Sequence, residues 1–286
     1  PYMRIQLGVI GSLMLSSLCS GAYSAQPDRP SLLIGYNEHR TDLPGGDPEA
    51  LYYSLTQTLA QVPDDTVLFP GHMYSAAPAE RLGDTLQIVT QPNLGGSGGF
   101  ARAMAETLDR PESDFIQLLD DDVRIEPESV RRSIVFGRYT TVPTLVGGHM
   151  FDLLDRPKLH ALAEVVDREP FMWRTINTHH FPHDFAAKNL RQTPMLHARL
   201  DADYNGWWMC LIPTEVVRSV GLPMPAFIKW DDAEYCLRAG EAGFPTVSLP
   251  GVALWHVAWV SKDDTIDWQA YFHARNRIVA GLLHSP

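Results

Sequence analysis

Three consecutive carboxylates, Asp120, Asp121 and Asp122, follow an apolar run that begins at Phe115. The apolar run predicts a buried strand, and Pro127 predicts the start of a helix shortly after the carboxylates. Alternate side chains of a strand share a face, so Asp120 and Asp122 are expected to point to one spot while Asp121 points away. Two carboxylates at one spot suit Mg²⁺ or Mn²⁺, which fills its other positions with phosphate oxygens and water. The stretch therefore predicts a metal-diphosphate site, with a solvated acidic turn as the alternative.

A second pair of carboxylates, Asp231 and Asp232, ends another apolar approach and opens a predicted helix that runs to about Ala242. The dipole at a helix start favours an ionised carboxylate, whereas a neighbouring negative charge can raise its pKa. In either case the pair is positioned to take a proton from an alcohol. Downstream, a strand from Val252 delivers His256, an imidazole that can complete the coordination of a hard cation, although a lone histidine is more often structural.

Two further segments suggest contacts with a ligand. The glycine-rich turn at 91–99 follows a strand and precedes an apolar helix. Glycines let the backbone approach a ligand closely, and a helix start favours a diphosphate, although such turns are often only connectors. Trp207 and Trp208 are adjacent in a polar segment, and indole rings stack on the apolar faces of sugars. Because neighbouring strand residues face opposite ways, one of the two is expected in the core.

The elements that must hold these groups alternate between strand and helix. Strands are predicted at 32–34, 66–69 and 86–89, and a helix is predicted from Asp47 to about Val62. Strands separated by helices indicate βαβ units and a parallel sheet, which is half of a nucleotide-binding type of fold.

Composition excludes some classes of protein. The chain has 286 residues, is 45% hydrophobic and 20% charged, and is therefore typical of a globular protein with one large or two modest domains. A formal net charge of -11 argues against a general nucleic-acid binder and suits a protein that recruits a divalent cation. Cys19, Cys210 and Cys236 are odd in number and far apart, which predicts neither a disulfide framework nor a cysteine zinc site.

The N-terminal stretch has the pattern of a secretory signal. Met3 and Arg4 precede a mostly apolar run at 5–19, and small residues follow at 21–25. A charged start, a short apolar centre and a small-residue end are typical of signal peptides, and the run is short for a membrane span. The alternative is a first strand of the fold.

One short segment resembles another class of enzyme. Residues 40–47 and 64–72 are similar to a late part of metallo-β-lactamase-fold hydrolases of the hydroxyacylglutathione-hydrolase type. In that family the histidine of the PGH motif, here His72, is a metal ligand. The HxHxDH cluster of those enzymes is absent, and one imidazole does not hold a hydrolytic metal pair. His72 is therefore expected to be a loop or surface histidine.

The region from Leu82 to Ser285 closely resembles the catalytic core of mycobacterial-type galactofuranosyltransferases, which are family 2 glycosyltransferases that polymerise cell-wall galactan from UDP-galactofuranose. The resemblance lies in the strings QPNLGGSGGFAR, LDDDVRIEPES, LVGGHM, EVVDR, FMW, DYNGWW, FIKWDDAEYCLRA, GFPTVSLPG, WHVAW and DDTIDWQAYFHARNR. It implies an α/β fold of the GT-A nucleotide-diphospho-sugar transferase type, with a mostly parallel mixed sheet flanked by helices. It also implies a metal-dependent, inverting hexosyltransferase.

The same resemblance implies a role for individual residues. Asp120, Asp122 and His256 would bind Mn²⁺ or Mg²⁺ on the UDP diphosphate. Asp232 would be the general base, with Asp231 beside it in the catalytic pair. The implied donor contacts are Asn93, Gly95, Gly96, Asp121 and Trp208, and the implied acceptor contacts are Glu164, Trp173, Tyr204, Trp207, Lys229 and His273.

The resemblance also implies an organisation and a location. Residues 1–25 would be a signal-like or anchor segment and residues 26–286 a GT-A domain, divided into a divergent N-terminal half at 26–85 and a metal, donor and acceptor half at 86–286. The expected partners are UDP-galactofuranose, a galactan or glycolipid acceptor and the membrane surface. Cytosolic UDP-sugars imply the cytoplasmic face of the plasma membrane, which conflicts with a signal peptide. The alternatives are a catalytically impaired sugar- or nucleotide-binding protein and a remnant of a hydrolase.

Overall fold

The computed structural model describes the backbone of five N-terminal strands and, with side chains, most residues from 91 onward. The ranges described with side chains are 91–111, 113–120, 123–176, 182–257 and 268–285. Asp121, Asp122, His72 and the helix predicted at 47–62 lie outside the described residues.

The described elements alternate between strands and helices along the chain. The strands are β1 (Arg4–Val9), β2 (Leu33–Tyr36), β3 (Val67–Pro70), β4 (Ala79–Leu82), β5 (Leu86–Val89), β6 (Ser113–Leu119), β7 (Arg124–Ile125), β8 (Leu145–Asp152), β9 (Lys158–Ala161), β10 (Glu164–Asp167), β11 (Met172–Thr175), β12 (His183–Asp184), β13 (Leu200–Ala202), β14 (Met209–Pro213) and β15 (Thr246–His256). The helices are α1 (Gly95–Leu108), α2 (Pro127–Arg138), α3 (Thr214–Val220), α4 (Asp231–Glu241) and α5 (Gln269–His284), and short 3₁₀ helices span Leu190–Gln192 and Pro194–His197.

A mixed sheet of nine described strands forms the centre of the fold. Its main order is β1-β6-β14-β8-β15-β13, with β7 on β15, β9 on β8 and β12 on β9. β14 is antiparallel to both of its neighbours, β6 and β8, whereas β8 and β15 are parallel. The ends of β6, β8 and β15 and the start of β14 therefore lie at the same edge of the sheet. This edge carries Asp120, His256 and the two tryptophans that precede β14.

Helices cover both faces of this sheet. Strand alternation sends Ile116 and Leu118 of β6 to one face, where they share a core with residues of α1, α3, α4 and α5. Phe115 and Leu119 point to the other face and pack with residues of α2. The result is a layered α/β architecture in which the buried sheet fixes the positions of its polar edge.

The strands predicted in the N-terminal half are confirmed, whereas two predictions about the central sheet are wrong. The three strands predicted in the N-terminal half are confirmed within two residues, and β2, β3 and β5 are parallel as expected. The central sheet is not mostly parallel among its described strands, because β14 enters between β6 and β8 in the opposite direction. The strand predicted from Val252 begins earlier, at Thr246, and β15 has an irregularity between Ser248 and Ala253, where Gly251 has a φ of 79°.

The N-terminal stretch adopts the alternative that its sequence left open. Residues Arg4–Val9 form β1, which pairs in parallel with β6. Whether the stretch also acts as a signal remains a prediction, as does the division of the chain at 25 and 85. None of the helices in the described residues has the length and apolarity needed to cross a bilayer.

Candidate active site

A cavity of about 480 Å³ opens at the polar edge of the sheet. Its lining contains many of the residues singled out from the sequence: Gly96, Asp120, Glu164, Trp173, Tyr204, Trp207, Trp208, Lys229, Asp231 and Asp232. Phe100, Ile228, Trp230 and Gln269 complete the lining. Asp120 and the Asp231–Asp232 pair, which are more than one hundred residues apart in the chain, therefore line a single space.

The start of α4 presents the second acidic pair to this cavity. Trp230 precedes the helix in a left-handed conformation with a φ of 70°, which turns the chain sharply into Asp231. The Asp232 carboxylate accepts a hydrogen bond from the backbone N–H of Ala233 at 2.7 Å, and the backbone N–H of Trp207 contributes a second. These bonds fix the orientation of Asp232 while part of its surface remains exposed to the cavity.

Burial raises the pKa values of both aspartates in this pair. Burial raises the pKa of Asp231 above its usual range, and the charges of Asp232 and Asp120 raise it further. Burial also raises the pKa of Asp232, against the stabilising effect of its backbone hydrogen bonds and of the Lys229 ammonium. Carboxylates with raised pKa values in a cleft have the electrostatic signature of acid-base groups.

The first acidic cluster lies beside a histidine. Asp120 follows β6 directly, and its carboxylate is 3.6 Å from Nε2 of His256, the last residue of β15. Nδ1 of that imidazole lies 2.7 Å from the carbonyl oxygen of Val257, a contact that assigns the hydrogen to Nδ1. In the neutral ring Nε2 therefore carries the lone pair and faces the Asp120 carboxylate, an arrangement that suits a shared cation. Within the described ranges, which omit Asp121 and Asp122, no group of three such side chains is arranged to hold a metal.

Glu164 is a buried acid on the wall of the cavity. It begins β10, is 8% exposed and forms hydrogen bonds with the side chains of Tyr204 and Thr175. Burial raises the pKa of Glu164 to about 7, and these hydrogen bonds oppose the increase only in part. Burial likewise raises the pKa of Tyr204, so that its hydroxyl stays protonated and can donate.

Aromatic rings form another wall. Trp173 lies 4.6 Å from Trp230 and 4.7 Å from His273 between ring centroids. The indole N–H of Trp230 faces Nδ1 of His273 at 3.3 Å, and Phe171 stacks on Trp230 at 5.7 Å. His273 is therefore packed against Trp173 and Trp230 and is not part of the cavity lining. Such a wall offers flat apolar faces with few polar groups, which suits the ring of a sugar.

The adjacent tryptophans Trp207 and Trp208 face opposite sides of the sheet, as expected, but both of them and not one lie in the core, each 3% exposed, because helices cover both faces. The indole N–H of Trp208 donates to the carbonyl of Gly148 at 2.8 Å, which ties this ring to β8. Trp207 packs edge-on against Phe100 at 4.8 Å. Its own indole N–H is buried without a hydrogen-bond partner in the described part of the chain.

Two backbone N–H groups of the glycine-rich turn and the helix start after it form hydrogen bonds within the protein and are therefore not free to bind a ligand. Asn93 accepts a hydrogen bond from the N–H of Gly95 at 3.0 Å, and the N–H of Ser97 donates to the carbonyl of Phe227 at 3.2 Å. Gly95 has a φ of 71°, and a Cβ there would lie 2.1 Å from the same carbonyl oxygen. Only Gly96 of the predicted donor contacts in this turn lines the cavity. The roles of Asn93 and Gly95 as donor contacts remain predictions.

The family relationship follows from comparison with known proteins. A family model described as "Glycosyltransferase like family 2" matches residues 75–281. The chain belongs to this glycosyltransferase family. It is 52% identical over 218 residues to the galactofuranosyltransferase GlfT2 of Mycolicibacterium smegmatis, covering 74% of this chain and 34% of that protein. It is 51% identical over 212 residues to the GlfT2 of Mycobacterium tuberculosis, covering 73% and 33%. The chain therefore spans about a third of the length of these curated relatives.

Solved glycosyltransferases share the fold. A crystal structure of GalNAc-T7 with UDP, GalNAc and Mn²⁺ superposes with a TM-score of 0.53 at 11% identity, covering 83% of this chain and 45% of that one. The mannosyltransferase PcManGT from Pyrobaculum calidifontis, in complex with GDP-Man and Mn²⁺, gives a TM-score of 0.50 at 10% identity, covering 99% and 65%. At these identities the likeness concerns the fold alone, and it confirms the expected GT-A type.

Within this family 2 glycosyltransferase, four cavity residues were not singled out from the sequence. Trp230 directly precedes Asp231, and Gln269 begins the last helix, so both lie inside strings that carried the resemblance. Phe100 and Ile228 are apolar and give no chemical signal. Adjacency to a reactive pair could have identified Trp230, whereas the position of Gln269 depends on how α5 docks.

Proposed function

We propose that this chain carries the catalytic core of an inverting galactofuranosyltransferase, which moves galactofuranose from UDP-galactofuranose to a galactan or glycolipid acceptor. One observation carries the proposal: Asp120 and the Asp231–Asp232 pair line the same cavity of about 480 Å³. An inverting displacement needs stabilisation of the leaving group at one end and a base at the other, with no covalent nucleophile. The identity to galactofuranosyltransferases in two mycobacterial species supports the choice of sugar.

The leaving-group end of the cavity suits a divalent cation. The Asp120 carboxylate and Nε2 of His256 face each other at 3.6 Å, and these are a hard oxygen ligand and an imidazole nitrogen. Asp122, two residues after Asp120, is the proposed third ligand. Mn²⁺ or Mg²⁺ bound there would offset the charge that develops on the UDP diphosphate as the sugar leaves. The contact of Nδ1 with the carbonyl of Val257 keeps the imidazole in the tautomer that can bind a metal.

Asp232 is the proposed general base. Its carboxylate is oriented by the N–H groups of Ala233 and Trp207 and keeps part of its surface open to the cavity. Asp231 is less accessible and lies under the repulsion of both Asp232 and Asp120, which favours its protonated form. A base whose pKa is raised towards neutral pH accepts the proton of a sugar hydroxyl more readily than an ordinary aspartate does.

The walls of the cavity account for recognition of the acceptor. The half-buried Trp173 presents an aromatic face on which a furanose ring can stack, and the buried Trp230 supports it from behind. The buried Glu164–Tyr204 pair contributes a carboxyl group and a hydroxyl group to the lining of the same space. These polar groups can orient the hydroxyls of an acceptor, so that one hydroxyl reaches Asp232.

Because UDP-sugars are cytosolic, we propose that the reaction takes place at the cytoplasmic face of the plasma membrane.

A donor screen tests the proposal. The protein is incubated with Mn²⁺, a galactofuranosyl acceptor and either UDP-galactofuranose or UDP-galactopyranose, and both UDP release and extension of the acceptor are measured. We expect extension with the furanose donor and little with the pyranose donor. Binding of UDP in the presence of Mn²⁺ without extension of any acceptor would instead support a sugar- or nucleotide-binding protein that has lost its activity.

A further inference from the structure

The turn between α3 and α4 has an unusual backbone. Phe227, Lys229 and Trp230 have φ values of 69°, 67° and 70°, although none of them is glycine. Side chains with a Cβ disfavour this left-handed region, and such residues persist only where surrounding contacts hold them. The last two directly precede Asp231, so the conformation of this turn determines where the acidic pair lies.

One side chain of α5 holds the turn. Asn276 is 2% exposed, and its amide nitrogen lies 3.0, 2.8 and 2.8 Å from the carbonyl oxygens of Ala226, Ile228 and Lys229. Its amide oxygen accepts a hydrogen bond from Nε of Arg275 at 2.8 Å. The Arg275 guanidinium also donates to the carbonyl of Ala226 at 2.6 Å. All three of these bonds from the Asn276 amide nitrogen therefore go to the main chain of the turn.

Helix α1 supports the same turn from another side. The hydroxyl of Ser97 donates to the carbonyl of Met224 at 2.7 Å, and its N–H donates to the carbonyl of Phe227. Gly95 touches that carbonyl so closely that no Cβ fits. The turn is thus held between the start of α1 and the side of α5.

We propose that Asn276 is a positioning residue that holds this left-handed turn and thereby sets Asp231 and Asp232 against the cavity. The effect of this positioning role on catalysis rests on the proposed function. The role requires an amide, because the two N–H groups of its nitrogen are shared among three backbone carbonyls. An aspartate of the same shape would bring an oxygen against those carbonyls, and an alanine would leave them without their donor. Packing alone would not distinguish asparagine from aspartate.

Two substitutions, Asn276→Asp and Asn276→Ala, test the proposal. Thr214→Val is the matched control, because the buried Thr214 hydroxyl also donates to two backbone carbonyls, those of Ser113 and Asp114, at the opposite end of β6. Four quantities are measured: amide hydrogen exchange across residues 224–234, the Kd of UDP with Mn²⁺, and kcat and KM for transfer.

We expect faster exchange confined to the turn and the first turn of α4 in both Asn276 variants, with Asn276→Asp at least as affected as Asn276→Ala. We expect kcat to fall by at least about 30-fold while the Kd of UDP changes by less than about threefold. Thr214→Val should lower thermal stability and leave kcat and the exchange of the turn unchanged.

Three results would overturn the proposal: unchanged exchange at the turn, wild-type kcat in the Asn276→Asp variant, or faster exchange spread evenly over the chain. A wild-type protein that transfers no sugar would refute the proposed function instead. The exchange data would still decide whether Asn276 holds the turn, because they do not depend on turnover.

Discussion

Replacing Glu164 by glutamine should change how stability depends on pH. The carboxyl group is 8% exposed, and burial raises its pKa to about 7 from an ordinary value of 4.5. The folded protein therefore binds this proton more tightly than the unfolded chain does. The stability that protonated Glu164 provides is fully present below pH 4.5 and is lost as the pH rises towards 7. Glutamine has nearly the same shape and no proton to lose, so the Glu164→Gln variant should lack this dependence.

The size of the effect follows from the two pKa values. Each pKa unit corresponds to about 1.4 kcal/mol, so a shift from 4.5 to about 7 amounts to about 3 kcal/mol of unfolding free energy. Relative to the Glu164→Gln variant, wild type should therefore lose about 3 kcal/mol between pH 4.5 and pH 8. This is a large part of the net stability of a typical domain.

Denaturant unfolding measures this difference directly. Wild type and Glu164→Gln are unfolded at several pH values between 4.5 and 8, and the difference in unfolding free energy is plotted against pH. Glu169→Gln is the matched control, because Glu169 is an exposed acid in the loop that follows β10. A difference between wild type and Glu164→Gln that stays constant within about 0.5 kcal/mol would refute the assignment of a buried carboxyl group with a raised pKa.

Three further substitutions test other parts of the site and the fold. Asp232→Asn should lower kcat at least about 100-fold because the base is lost, while calorimetry should find UDP binding intact; a loss of binding would contradict the assigned role. His256→Ala should raise the Mn²⁺ concentration for half-maximal UDP binding at least about tenfold, and an unchanged requirement would remove this residue from the metal site. His284 lies 2.8 Å from Glu241 and 3.3 Å from Glu234, and these carboxylates raise its pKa. Its stabilising effect is present below pH 6.5 and lost as the pH rises through the higher folded pKa, so denaturant unfolding should find His284→Gln more harmful at pH 6 than at pH 9.

The polar edge of the sheet could be predicted because the ends of buried strands have a recognisable sequence pattern. An apolar run that stops at a carboxylate, as before Asp120, marks both a buried strand and the group at its end. The same logic applies to His256 after β15. Such groups meet when their strands are neighbours or near neighbours, and the convergence of Asp120 with His256 was expected from the family resemblance. The direction of β14 was not, because a short apolar strand reads the same in either orientation.

Other parts of the site depend on contacts that no local pattern encodes. Glu164 opens a short hairpin strand, and only the docking of Tyr204 and Thr175 around it makes it a buried acid. Gly95 was expected to approach a ligand, whereas its missing side chain makes room for the carbonyl of Phe227. In both cases the residue type was informative, but Tyr204 and Phe227 come from distant parts of the chain, and no local pattern identifies them as the partners.

The turn before α4 shows why a conformation that local patterns do not predict can coincide with a functional position. Local propensity disfavours left-handed Lys229 and Trp230, and no sequence rule would place them in that conformation. The conformation exists because Asn276, nearly fifty residues downstream, binds the carbonyls of the turn. A relaxed turn would direct Asp231 and Asp232 elsewhere, so the local cost is tolerated where it orients a reactive pair. The positions at which local rules are broken are therefore the ones that determine the geometry of the cavity.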